Sequence, residues 1–338
     1  MSILVTGGLG YIGSHTVVEL LNNNEKVIVI DNLSNSKIEV IDSIYKITNK
    51  KIKFYNYDLL NLSDLEKVFI ENKDIKDVIH FAGFKAVGES VAKPLMYYEN
   101  NLMSSINLLN MMIKYNVKNI VFSSSATVYG TPKRVPIYED DEIGGTTNPY
   151  GTSKLIIEGI LQDVYKVHQD MNIAILRYFN PIGAHPSSLI GESPNGIPNN
   201  LMPYISQVAV GIREKLNVFG NDYDTIDGTG VRDYIHVVDL ALGHVASLNK
   251  LHTCPGLVIY NLGTGKGTSV LELVSAFEKA NNITIPYEIC PRRPGDISTC
   301  YASCLKAEKE LNWTAKYDIV QACKDSMNFQ KEFVKNNK

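Results

Sequence analysis

Tyr150 and Lys154 stand four residues apart in "NPYGTSK", at the start of a segment with helical apolar spacing. That separation is about one helical turn, so a phenol and an ammonium share one face. An ammonium beside a phenol favours the phenolate, lowering the tyrosine from its reference of about 10 toward a pH at which it can take a proton from a substrate hydroxyl. In isolation such a spacing recurs by chance and is more often a surface pair than a catalytic one, so its position has to decide. It follows a strand-like stretch ending in "SSSATVYG", where the Ser125 hydroxyl can donate to or accept from a reacting oxygen. Read blandly, that serine-rich end is only a turn.

A second constellation lies near the start. "VTGGLGYIGSHT" spaces Gly7, Gly10 and Gly13 by three inside an apolar stretch. A strand turning into a helix without Cβ atoms at Gly7 and Gly10 lets a pyrophosphate approach backbone N–H groups at the positive end of the helix dipole. Gly13 is expected to let that helix pack closely on the strand. The pattern is G-x-x-G-x-x-G rather than the commoner G-x-G-x-x-G, and its context carries it: Asp31 ends the next strand about twenty residues on. A carboxylate there accepts from a ribose 2′-hydroxyl and repels a 2′-phosphate, which favours NAD over NADP. Asp58, in "YNYDLLN", is placed either to meet the adenine or simply to open a helix.

These residues need a scaffold. "SILVTGG" and "KVIVIDN" are short apolar runs rich in Val and Ile, and "SHTVVELLNNN" between them has helical spacing, which makes a βαβ unit. Further strands are expected at "KIKFYNYDL", "DVIHFAG", "NIVFSSSA" and "NIAILRYFN", with helices between them. Alternating strands and amphipathic helices imply an α/β fold, a Rossmann-type doubly wound parallel sheet covered on both faces. After "RYFNPIGAHP", Gly, Pro and Asn become dense and the alternation weakens. The division expected is a cofactor domain over 1–180 and a smaller, mixed α/β substrate domain over 181–338, with part of 234–265 able to pack back on the first. The C-terminal part is expected to hold helices in "ISQVAVGIREK", "VVDLALGHVASLNKL" and "IVQACKDSMNFQKEF".

Composition narrows the class. Of 338 residues 44% are hydrophobic and 20% charged, which suits a folded domain, and a net charge of −3 gives no nucleic-acid-binding footprint. No apolar run reaches membrane-spanning length, and "ILVTGG" follows no basic, then apolar leader, so neither membrane insertion nor secretion is expected. Cys254, Cys290, Cys300, Cys304 and Cys323 are odd in number and lack metal-finger spacing, which reads as reduced thiols in the cytoplasm. A disulfide or metal pair at Cys300 and Cys304 is the alternative; no metal is expected.

"TGGLGYIGSHT", "FAGFKAVGES", "SSSATVYG", "NPYGTSK", "LRYFNPIGAHP", "IPNNLMPY", "GVRDYIHVVDLALGH" and "PRRPGD" together resemble the UDP-glucose 4-epimerase family of the extended short-chain dehydrogenase/reductase superfamily, from the first strand to "ELNW". The resemblance implies an isomerase acting on UDP-sugars with tightly bound NAD, and a homodimer formed through two helices of the cofactor domain. It makes Ser125, Tyr150 and Lys154 the catalytic set. Beyond the glycines it maps NAD contacts onto Tyr11, Ile12, Asp31, Asn32, Asp58, Leu59, Phe81, Ala82, Gly83, Lys85, Asn100 and Phe179. UDP-sugar contacts fall on Lys85, Asn180, Asn200, Arg232 and Arg293, on Leu201 and Phe219 against uracil, and on Asp296 at the uridine ribose.

Cys300 departs from some members of that family, which carry a bulky tyrosine beside the sugar. A thiol leaves room near the C2 substituent, so UDP-N-acetylglucosamine and UDP-N-acetylgalactosamine are expected substrates besides UDP-glucose and UDP-galactose. A nucleotide-sugar 4,6-dehydratase would need an acidic pair just after the serine, where Ala126 and Thr127 stand. A non-catalytic NAD sensor would not need the reactive pair, and a net dehydrogenase would need to release its cofactor at each turnover.

Overall fold

Along the first strand Ile3 and Val5 enter one apolar cluster while Leu4 enters another, so the strand is covered on both faces. The computed structural model describes residues 1–194, 196–293 and 295–336. Its elements begin with β1 (Ser2–Thr6), α1 (Tyr11–Asn22), β2 (Lys26–Ile30), α2 (Val40–Thr48), β3 (Lys53–Tyr55), α3 (Leu62–Glu71), β4 (Ile75–His80) and α4 (Val87–Ala92). Next come α5 (Pro94–Lys114), β5 (Asn119–Ser125), α6 (Pro149–Val167), β6 (Asn172–Tyr178) and β7 (Asn180–Ile182). Then follow α7 (Leu201–Ala209), β8 (Leu216–Phe219), β9 (Val231–Arg232), β10 (Tyr234–His236), α8 (Val237–Leu251), β11 (Leu257–Leu262) and β12 (Thr268–Ser269). The last are α9 (Val270–Asn281), β13 (Tyr287–Cys290), β14 (Thr299–Cys300), α10 (Leu305–Leu311) and α11 (Ile319–Asn336).

Seven strands form the main sheet in the order β11-β6-β5-β4-β1-β2-β3, every neighbouring pair parallel. The order reverses at β1, and in such a sheet the crevice for ligands opens beyond the C-terminal ends of the strands at that point. Gly7, Asp31, Phe81 and Ser125 all sit at those ends, immediately after β1, β2 and β4 and at the last residue of β5.

The chain returns to this sheet after leaving it. Val237–Leu251 puts Leu240 and Leu248 into the cluster that holds Val17 and Leu21 of α1, and β11 adds an edge strand beside β6. The rest of the C-terminal half builds its own core from residues such as Met202, Leu216, Phe277 and Met327, around the pairs β10-β7 and β13-β8 and the sheet β12-β9-β14. A small cluster of Val128, Tyr129, Phe179 and Cys300 joins the two halves beside the end of β5.

Two helices differ from their sequence outlines. The apolar spacing after "SSIN" suggests a start near Ser104, whereas α5 begins ten residues earlier, at Pro94, where the missing N–H costs nothing. In "ISQVAVGIREK" the helix stops at Ala209, because Gly211 takes a φ of +77° that ends the turn.

Candidate active site

The helix carrying the reactive pair is started by its own sequence. Asn148 caps α6, its side chain accepting from the Gly151 N–H at 2.9 Å, and Pro149 occupies the first turn. Tyr150, Lys154 and Glu158 then follow at one-turn intervals. Three successive serines of β5 meet them: Ser125 lies close enough to the Tyr150 phenol to act on its pKa, the Ser123 carbonyl accepts from Lys154 Nζ at 2.7 Å, and the Ser124 hydroxyl donates to Glu158 Oε1.

The electrostatics differ from the reading of the pair alone. Burial raises the Tyr150 pKa, and the neighbouring Ser125 hydroxyl only partly opposes it. Lys154 Nζ lies 6.0 Å from the tyrosine ring centroid and donates its hydrogen bond to a carbonyl instead, so the phenolate is not preformed in this arrangement. The ammonium is itself under strain: burial pulls its pKa down to about 8, with Glu158 working in the other direction. Tyr178 adjoins the site, its phenol paired with Ser123 and its pKa raised by burial and by Tyr150.

The glycine turn resolves into three separate constraints. A Cβ on Gly7 would lie 2.8 Å from the Ala82 backbone nitrogen at a φ of +68°, so this glycine admits the strand end that carries Phe81 and Ala82. A Cβ on Gly13 would lie 2.3 Å from the Gly7 carbonyl oxygen, so Gly13 packs α1 on the turn rather than on the strand. Contact with the strand falls to Gly8, whose Cβ would meet Val29. Only Gly10 would place a Cβ near no protein atom except the Gly7 oxygen, at 3.3 Å. Gly7→Ala is therefore expected to destabilise the fold by about 2 kcal/mol or more. An unchanged urea midpoint for that variant would refute the close-approach argument.

A dinucleotide fits these groups. Gly10 starts α1 with no side-chain cap and no acidic residue in the first turn, leaving the helix end to an anion. Asp31 is buried and accepts from Leu9 N at 3.0 Å, Leu33 N at 3.0 Å and Ser36 Oγ at 2.7 Å. A carboxylate has about four acceptor positions, so one remains for a ribose hydroxyl. Asn32 donates to Asp58 at 2.9 Å, joining two predicted contacts, and Leu59 follows in the core. Gly83 approaches Asn101, whose amide also binds Phe84 and Ser153 and so ties this loop to α6. Asn100 donates to Asn101, and Tyr11 donates to the Gly183 carbonyl. Ile12 and Phe81 both pack, partly buried, against the main core.

The groups expected to hold a UDP-sugar are drawn together in pairs. Arg232 Nη2 lies 3.2 Å from Asp296 Oδ1, and the Arg293 guanidinium sits 4.0 Å over the Phe219 ring. Lys85 and Asn200 both donate to Glu192 Oε1, at 2.8 and 2.7 Å. Asn180 is exposed at the start of β7, and Leu201 opens α7. Cys300 is a free, buried thiol packed with Val128 and Phe179, pushed up to about 11 by burial and therefore neutral. It is not bridged to Cys304.

The chain matches, over residues 4–326, the family model described as GDP-mannose 4,6 dehydratase. It is also 60% identical over 332 residues to the UDP-glucose 4-epimerase of Pasteurella multocida, covering 98% of each chain. The chain belongs to the UDP-glucose 4-epimerase family. The crystal structure of UDP-glucose 4-epimerase from Bifidobacterium longum in complex with NAD+ and UDP resembles it with a TM-score of 0.95 and 56% identity over 98% of both chains. The UDP-Glc/GlcNAc 4-epimerase from Campylobacter jejuni does so with a TM-score of 0.85 and 35% identity, over 98% of this chain and 99% of the other. The epimerase match is the finer of the two family names. It agrees with the turn after Ser125, where Thr127 spends its hydroxyl on Ser125 at 3.0 Å and no acid is present.

Sequence reasoning passed over Glu158, Arg177, Tyr178, Asn101 and Glu192. A signal existed for the first two: Glu158 falls one turn after Lys154 on the face that must pack on the sheet and Arg177 interrupts an apolar strand, and a charge in such a position requires a partner.

Proposed function

We propose that this protein interconverts UDP-glucose and UDP-galactose at sugar C4, using NAD that stays bound through turnover. The observation that carries the reading is the convergence of Ser125, Tyr150 and Lys154 at the strand ends beside the uncapped α1. Bound NAD, held by the α1 N-terminus and Asp31, would supply a reversible acceptor for the C4 hydride. Tyr150 takes the proton from the sugar 4-hydroxyl, and Ser125 holds the same oxygen by a hydrogen bond. Lys154 supplies positive charge toward the phenol, offsetting the burial that raises it. The resulting 4-keto sugar turns its other face, and return of the hydride to that face of C4, with the Tyr150 proton going back to the oxygen, completes the inversion.

The residues mapped onto NAD and onto the UDP-sugar are proposed in those roles with it. Residues 1–180 together with the returning segment hold the cofactor, and the remainder of 181–338 holds the nucleotide sugar. Cys300 leaves space for a C2 acetamide, so the N-acetylated pair are substrates too; the likeness to a UDP-Glc/GlcNAc 4-epimerase supports a fold that takes both. A homodimer is supported by exposed Met103 and Ile113 on α5 and Ile156 on α6, and a cytoplasmic setting by five free thiols. Among the described residues no helix is long and apolar enough to cross a membrane.

Proton NMR of the purified protein with UDP-galactose and UDP-N-acetylgalactosamine in one tube, adding no NAD, tests this reading. Growth of both gluco-configured anomeric signals is expected. Conversion of UDP-galactose alone would remove the acetamide claim, and no conversion even with NAD supplied would remove the epimerase.

A further inference from the structure

Behind the reactive pair lies a charge pair with no direct access to the crevice. Glu158 is wholly buried and Arg177 nearly so, with Arg177 Nη2 2.7 Å from Glu158 Oε2 and Nε 3.1 and 3.2 Å from the two carboxylate oxygens. Arg177 Nη1 donates to the Tyr129 hydroxyl and the Glu139 carbonyl, both at 3.1 Å. Tyr129 in turn donates to Asn261 Oδ1 at 2.6 Å. This one network reaches β5, α6, β6 and β11, and on α6 it begins one turn beyond Lys154.

We propose that Glu158, clamped by Arg177 and Ser124, is a positioning residue that seats the Lys154 ammonium and keeps the reactive face of α6 in register with the serines of β5. The inference rests on the reading of Lys154 as the charged partner of Tyr150.

Stability alone does not account for the pair. Removing two ions from water carries a large desolvation cost, and well-packed apolar side chains of similar volume often hold a helix to a sheet as well. The carboxylate stands one helical turn from a buried cation. Lys154 is buried, and its hydrogen-bond partner on β5, the Ser123 carbonyl, is neutral. Phe122 on β5 offers only a ring face, at 4.9 Å. His80 on β4 is pushed down to about 3 and is uncharged, while Tyr178 on β6 and Tyr150 on α6 are raised and stay protonated. Arg177 on β6 is the remaining cation, and its fork is occupied by the carboxylate. The charge opposing the loss of the lysine proton is that of Glu158.

The sign follows. Without the carboxylate Lys154 loses its proton at lower pH, so activity that needs the ammonium disappears earlier as pH rises. The test uses the NAD-loaded Glu158→Gln/Arg177→Met protein, which removes both buried charges together, with UDP-galactose as substrate. Its kcat at pH 8 is expected to be about three- to tenfold lower, with the alkaline limb of the kcat profile moved toward neutral and KM little changed. If that protein does not fold, Glu158→Asp keeps the pair and withdraws the carboxylate by one methylene; the same limb shift, smaller, is then expected. A folded variant with wild-type kcat and an unmoved alkaline limb overturns the inference. Lys154→Met with wild-type kcat would overturn instead the catalytic reading beneath it.

Discussion

Tyr150→Phe is expected to lower kcat for UDP-galactose by about 10³-fold or more, the upper part of the range for loss of a general base, while KM shifts only a few-fold. The substitution deletes one oxygen and keeps the ring, so packing at the start of α6 and the capping by Asn148 are unaffected. What it removes is the atom proposed to accept the proton from the 4-hydroxyl. That acceptor is held near Ser125 and is raised by burial, so as it stands the phenol favours its protonated form at neutral pH. The Lys154 ammonium has to shift that balance, and Phe leaves it nothing to act on. Steady-state conversion of UDP-galactose, with bound NAD checked by its release on denaturation, measures the effect. A residual kcat within tenfold of wild type, at full NAD content, would mean that another group takes the proton.

The sequence made some of this arrangement legible because the relevant physics is local. Asn148-Pro149 before an apolar period marks a helix start, and a four-residue spacing puts Tyr150 and Lys154 on one face whatever surrounds them. Apolar runs with Asp31 at a strand end likewise announce the parallel sheet and the place where the glycine turn must lie. What escaped depends on contacts across many residues. The two jobs of Gly7 and Gly13, one serving the Phe81–Ala82 backbone and one the turn itself, need the coordinates of a strand more than seventy positions away and of the turn. The lowering of the Tyr150 pKa by Lys154 is a two-body expectation, and the fold adds a third body, the Ser123 carbonyl, which accepts a hydrogen bond from the ammonium. Glu192 lies in a loop without periodicity, so nothing in its surroundings announced that Lys85 and Asn200 would both reach it.

Cys300→Tyr is expected to lower kcat/KM for UDP-N-acetylgalactosamine at least about tenfold relative to UDP-galactose, the scale on which pocket shape discriminates between related substrates. The placement of Cys300 gives the reason. Its strand pairs Cys300 with Arg232, which meets Asp296, while its side chain belongs to the cluster holding Phe179 and Val128, just beyond Ser125. It therefore stands between the groups proposed for the nucleotide and those proposed for the reacting carbon. A neutral thiol at that point acts through size rather than charge. The same burial makes the experiment demanding, because a tyrosine that turned into the cluster would overpack it at a cost of about 1–3 kcal/mol. Overpacking would lower stability and slow both substrates together, whereas a ring turned toward the sugar would spare UDP-galactose and exclude the acetamide. The ratio of the two kcat/KM values, read beside the melting temperature, separates these cases. An unchanged ratio at a wild-type melting temperature would show that the neighbouring loops, and not residue 300, set the width of the pocket.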